Sequence, residues 1–163
     1  MKKEEERKLA RKIVRGVAKE FRSRGFLHSK PTFIVRPFER FAQFVHFHKF
    51  TFGPNFRVHF GVRVMNDPFD AVALNGPAVE RAGTYGPDEE QSLACTRQLI
   101  ALVEKEGLSW FSKLSSVEEL LKSSKSPLDD RDRRALLDDM SGQKNEASWQ
   151  LSERLLGLPH EKA

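Results

Sequence analysis

The chain has 163 residues, of which 39% are hydrophobic and 31% charged, which leaves room for one domain with a real core and not for a second. Its single cysteine, Cys95, excludes an intramolecular disulfide and any cysteine-rich zinc site and points to a reducing cytoplasm. The opening MKKEEERKLARK mixes both charge signs and leads into no continuous apolar run, so neither a secretory signal nor a membrane span is read there. The net charge of +5 is divided unevenly, with 16 Lys/Arg against 5 Asp/Glu in residues 1–65 and 12 against 18 in residues 66–163. The two halves can complement each other, or the basic half can face an anionic partner.

From Glu4 to Arg24 the apolar residues Leu9, Ile13, Val17 and Phe21 recur every four positions among Lys and Arg, which predicts an amphipathic helix with one buried stripe, closed by Gly25. Nine of the thirteen phenylalanines then fall between Phe33 and Phe60. Period-two alternation there predicts strands over 32–36, 40–51 and 56–65, the last two joined as a hairpin at Gly53-Pro54. Centred on that turn, the hairpin pairs Val45 with Val62, Phe47 with Phe60 and Lys49 with Val58. Phe56, Val58, Phe60, Val62 and Val64 then form one apolar face for the first helix. Phe44, His46, His48 and Phe50 share the other face with Arg57, His59, Gly61 and Arg63.

Residues 66–87 are rich in Gly, Pro, Asn and Asp, with a short strand expected at Ala71–Leu74; the segment is a candidate lid or binding loop, or an edge strand flanked by turns. Pro87-Asp88-Glu89-Glu90 opens a helix that Gly107 closes, and Ser116 with Glu119 forms a capping box. Ser126-Pro127 begins another helix toward Met140, and a last one spans about Glu146–Leu156 before Gly157. The fold class is therefore α+β: an N-terminal amphipathic helix, an antiparallel sheet of three to four strands, and C-terminal helices packing on the sheet. Residues 1–125 form the domain, with 126–163 a helical appendage docked on it.

The segment Val45–Val62, with its Gly53 turn and Phe56-x-Val58-His59-Phe60-Gly61-Val62, resembles bacterial proteins of domain of unknown function family 4304. RSRGFLHSKPTFIVR and LSWFSKLSSVEELL are similar to that family's opening and to its segment after the central helix. The resemblance covers about residues 5–125. It implies an α+β fold of bacterial origin and carries no reaction, cofactor or catalytic residue. The family commonly has Gln and Asn near His48 and His59, so a role for these histidines would be particular to this chain.

Three constellations bear on chemistry. His46, His48 and His59 share a sheet face at a spacing from which three imidazoles could reach one Zn(II), although Arg57 and Arg63 beside them would repel a cation and no carboxylate on these strands orients the rings. The same Phe44, Phe50, Arg57 and Arg63 could stack bases and hold phosphates, or be covered by the C-terminal helices, which thirteen phenylalanines against one tyrosine favours. Trp149, beside Leu151 and Leu155, is the candidate interface residue. Nucleophilic catalysis finds no elbow or glycine loop, and Cys95 is expected to be buried with a raised pKa. Asp129-Asp130 and Asp138-Asp139, beside Arg131, Arg133 and Arg134, read as a solvated, self-paired face. The leading expectation is a cytoplasmic, non-catalytic protein-binding module of inhibitory or immunity type, without a cofactor. Nucleic-acid binding by the basic half and a three-histidine metal enzyme are the alternatives.

Overall fold

A computed structural model describes residues 1–160. The chain is α+β: helix α1 (Lys3–Phe21), strands β1 (Leu27–Lys30), β2 (Phe33–Pro37), β3 (Phe41–Lys49), β4 (Asn55–Val64) and β5 (Ala78–Thr84), then helices α2 (Glu89–Leu102), α3 (Leu108–Phe111), α4 (Val117–Lys122), α5 (Asp130–Met140) and α6 (Glu146–Leu156). The strands form one antiparallel meander in the order β1-β2-β3-β4-β5. No helix among the described residues is long and apolar enough to cross a membrane.

The helix α1 buries Ala10, Ile13, Val14, Val17, Ala18 and Phe21. These pack with Cys95, Leu99 and Val103 on Val45, Phe47, Phe56, Val58 and Phe60 of the sheet, where each fully buried Phe or Val is worth about 1.5–3 kcal/mol. Gly25 caps the turn that follows α1 with φ +87°. The helix α2 does not stop at Gly107. A π-helical turn, Val103–Gly107, carries it into α3, and the glycine is there because a Cβ would stand 2.6 Å from the Phe60 ring. The side chain of Gln43, fully buried on this sheet face, donates to the carbonyls of Phe111 and Leu114 and accepts from the Arg36 guanidinium, so α3 is bonded to the sheet as well as packed on it.

The sheet has five strands where three to four were expected. The edge strand β1 is only LHSK, too short and polar for alternation to mark it. The fifth strand is Ala78–Thr84, not Ala71–Leu74; the charged Glu80-Arg81 pair and a bulge opposite Arg57, with Arg81 at φ +50°, hide its period. Both devices also suit an edge strand, since charge and a bulge discourage further pairing. The β3–β4 register is shifted by two: Val45 pairs with Phe60, Phe47 with Val58 and Lys49 with Phe56. The turn is a four-residue loop, Thr51–Pro54, closed by the Phe50 amide donating to the Asn55 carbonyl at 3.0 Å. Because side chains alternate with period two, a shift of two keeps every residue on its expected face.

The late helices clamp the β4 end from both sides. Ala135 and Leu136 of α5 join Phe41, Val62 and Val64 on the face that carries α1, whereas Leu156 and Trp149 of α6 cover Val35, Ala42, Phe44 and Met65 on the other. The helix α5 begins at Asp130 and not at Ser126-Pro127, because Asp129 caps it and Asp132 completes a capping box. The helix α6 matches the expected Glu146–Leu156 and ends at Gly157, φ +71°.

Candidate functional site

The sheet face opposite α1 is covered at one end and open at the other. Phe44 is 0% exposed and Arg63 3%, so both leave the binding-surface set proposed from sequence. The Phe44 ring lies across Gly61, where a Cβ would come within 2.2 Å of it. The Arg63 guanidinium donates to Ser152 Oγ at 3.0 Å and to the carbonyls of Ala71, Asp67 and Phe69 at 2.7–2.9 Å. It stitches α6 and the 66–75 segment to β4.

Beyond α6 the open half carries two cross-strand rows. In the first, Lys30 pairs with Phe33, Phe33 with His46, His46 with His59 and His59 with Ala78. Phe33 and His46 stack at 4.5 Å between ring centroids and 19° between planes, and His46 and His59 at 6.0 Å and 20°. The rings therefore stand upright on the sheet with their faces turned to each other and their edges outward. In the second row His48 pairs with Arg57. Arg57 lies over the Phe50 ring at 5.1 Å and meets Glu80 at 2.7 Å. Beside this row Phe52, on the β3–β4 loop, is 85% exposed.

Electrostatics follow from this placement. Burial, then the neighbouring His59 and His48, lower the His46 pKa to about 4, and its Nδ1 is buried without a hydrogen-bond partner. Burial and Arg57 lower His59 as well. The alternative in which the three imidazoles share a Zn(II) placed His59 across from His48. The two-residue shift puts His59 across from His46 and His48 across from Arg57. His46 and His59 stack while His46 and His48 are tilted by 58° at 5.9 Å, and among the described residues no group of three His, Cys, Asp or Glu is arranged to hold a metal ion.

Trp149 is half-buried. It packs against the Val35–Phe44 cluster with Lys144 over its ring at 4.2 Å. Its ring lines a groove of about 670 Å³ with Leu27, Phe38, Met65 and Leu158, and the indole Nε1 has no partner. Residues 66–77 are fastened and do not form a free lid. Both amide atoms of Asn75 bond the backbone of Val62, at 3.1 and 2.9 Å, as a neighbouring strand would. Cys95 is fully buried, and burial pushes its pKa up to about 12.

The sequence reading missed a buried polar cluster at the α5 junction. Asp67 accepts from the Phe69 amide at 3.0 Å and faces Arg131 at 3.3 Å and Arg63 at 3.7 Å. Burial and a hydrogen bond with Asp67 push the neighbouring Asp132 up to about 7. Asp139, expected on a solvated face, is 4% exposed and meets Arg40 at 3.1 Å. Only the D-x-x-D spacing of Asp129 and Asp132 could have flagged this region in advance.

Comparison of the chain with protein-family models, with curated proteins and with solved structures finds no match. The resemblance drawn from the sequence rests on Val45–Val62 and the two flanking segments quoted with it.

Proposed function

We propose that the protein is a non-catalytic protein-binding module, of inhibitory or immunity type, whose contact surface is the open half of the sheet face: His46, His48, His59, Arg57 and Phe50, with Phe33 and Phe52. The observation that carries this reading is the row of rings set edge-on. Ring edges offer imidazole nitrogens and C–H groups to hydrogen-bonding partners, whereas a base-stacking platform needs free ring faces. Arg57 is already held by Phe50 and Glu80, so little of its freedom remains to be lost on binding. Exposed aromatic and arginine side chains are also the types that anchor protein interfaces.

The test is capture of partners from cells of the source organism with the tagged protein, comparing wild type with Phe52→Asp/His48→Asp. Both positions are exposed, so the fold tolerates the change. A protein retained by wild type and lost with the variant supports the reading. Equal retention of every co-purifying species sinks it. The nucleic-acid alternative draws support from Lys3, Arg7, Arg11 and Arg15, which follow one another turn by turn on the exposed side of α1 and meet no carboxylate among the described residues.

A further inference from the structure

Every exposed residue of α1 from Arg7 to Lys19 is a lysine or an arginine: Arg7, Lys8, Arg11, Lys12, Arg15 and Lys19. Lys8 pairs with Glu4 at 3.4 Å, and the others meet no carboxylate among the described residues. At a rise of about 1.5 Å per residue these cations extend over about 18 Å. The acids of the helix stand away from them. Glu4, Glu5 and Glu6 occupy the first turn, where Lys8, the Lys2 amide and Lys49 hold them, and Glu20, about two and a half turns after Arg11, lies on the other side of the helix. The flanks add no acid along this length. Thr96 of α2 packs so closely on Gly16 that a Cβ there would stand 3.1 Å from its methyl group; the chain around Thr96 has no acid between Glu90 and Glu104, and Glu104 pairs with Arg24 at 3.8 Å. On the opposite flank two depressions, of about 190 and 370 Å³, separate Lys3 and Arg7 from residues 49–51 and Arg11 and Arg15 from residues 28–31, none of them acidic.

We propose that this side of α1 is a second binding surface, a track that holds the phosphate backbone of a nucleic acid through Arg7, Lys8, Arg11, Lys12, Arg15 and Lys19. It lies across the sheet from the open histidine face, so it stands independently of the protein-binding reading. A strand of duplex carries a phosphate for about every 3.4 Å of axis, so a track about 18 Å long faces about five of them. Cations on flexible stems that meet phosphates position a nucleic acid without reading its bases, and the binding is therefore independent of sequence. A protein partner needs aromatic or apolar anchors at the centre of the contact, where lysine is depleted, and none is exposed between Arg7 and Lys19. An anionic membrane takes up a surface helix by its apolar face, but Ile13, Val14, Val17 and Phe21 are at most 1% exposed, turned onto the sheet.

The experiment is fluorescence anisotropy of the full chain with a labelled twenty-nucleotide strand of mixed sequence and with the duplex made from it, over about 50 to 300 mM salt. Wild type should bind at the low end, with log affinity falling against log salt at a slope of about −3.5 to −4.5 for five phosphates. Arg11→Gln/Arg15→Gln and, separately, Lys12→Gln/Lys19→Gln should each weaken binding about tenfold or more at about 0.1 M salt and flatten the slope by about 1.4 to 1.8. The control Lys113→Gln/Lys125→Gln removes two exposed cations that meet no carboxylate among the described residues and should change affinity less than about twofold. Circular dichroism checks the fold of each variant. Binding of either probe with this pattern supports the track, and the tighter of the two says whether a single strand or a duplex occupies it. No binding of either by wild type at the lowest salt, a slope that neither α1 variant changes, or an equal loss in the control overturns it. A labelled decaglutamate peptide bound more tightly than both probes assigns the track to an acidic protein, and cosedimentation with vesicles of phosphatidylcholine and phosphatidylserine at a salt concentration that releases both probes assigns it to a membrane; each result overturns the nucleic acid.

Discussion

Arg63→Met tests how the C-terminal helices are held. The arginine side chain is 2% exposed and makes four hydrogen bonds, to Ser152 Oγ and to the carbonyls of Ala71, Asp67 and Phe69. At about 1.5–3 kcal/mol for each bond to a charged group, a simple sum reaches about 6–12 kcal/mol. That sum overcounts, because the released carbonyls on the 66–75 segment can rehydrate once it loosens. Ser152 still donates to the Met65 carbonyl at 2.8 Å, and methionine refills most of the volume. What remains is the cost of leaving Asp67 buried with one cation fewer, about 3–5 kcal/mol for a broken buried pair. Urea unfolding followed by tryptophan fluorescence in a Trp110→Phe background, where Trp149 reports on α6, measures it. A loss below about 1 kcal/mol, with α6 unfolding together with the sheet, would refute the assignment of Arg63 as the fastening.

Gly61→Ala should cost about 1–3 kcal/mol by overpacking, because the new methyl meets the Phe44 ring; chemical denaturation gives the value, and Gly61→Ala with Phe44→Leu should recover part of it. Asp132 has a folded pKa raised to about 7 from 3.8, so the native state binds the extra proton: stability is fully present below about pH 4 and declines as pH rises through 7. Asp132→Asn should flatten that decline in melts taken from pH 4 to 8. His46 acts with the opposite sign, since a folded pKa of about 4 against 6.5 means stability is present above pH 6.5 and lost as pH falls toward 4. His46→Phe should remove the acid loss while preserving the stack on Phe33, seen as a melting temperature that no longer drops between pH 6.5 and 4.

What could be read in advance was whatever repeats. The four-residue spacing of α1, the alternation of β3 and β4, and the caps at Ser116 and Gly157 are local patterns, and the structure carries each of them. The register escaped because loop length, not alternation, sets it, and Gly53-Pro54 sits inside a four-residue loop instead of at its centre. The division of the histidine face escaped because α6, some 90 residues further along, decides which half is covered. Phe44 and His46 differ in fate although they are two residues apart on the same strand. Arg63 and Asp132 belong together only through packing of β4 on α5, which leaves no trace in spacing.

The strict meander also orders the folding process. Every strand pairs with its neighbour in sequence, so the sheet and α1–α3 need only residues up to about Phe111 and short-range loop closures that are kinetically cheap. The clamp across the β4 end depends on contacts of far greater separation, Asn66 with Asn145 and Arg63 with Ser152. On a ribosome the sheet can thus assemble while Val35, Ala42, Phe44 and Met65 still lack α6. During that interval the nascent chain presents a sticky apolar patch, and chaperone dependence should concentrate in those seconds of synthesis.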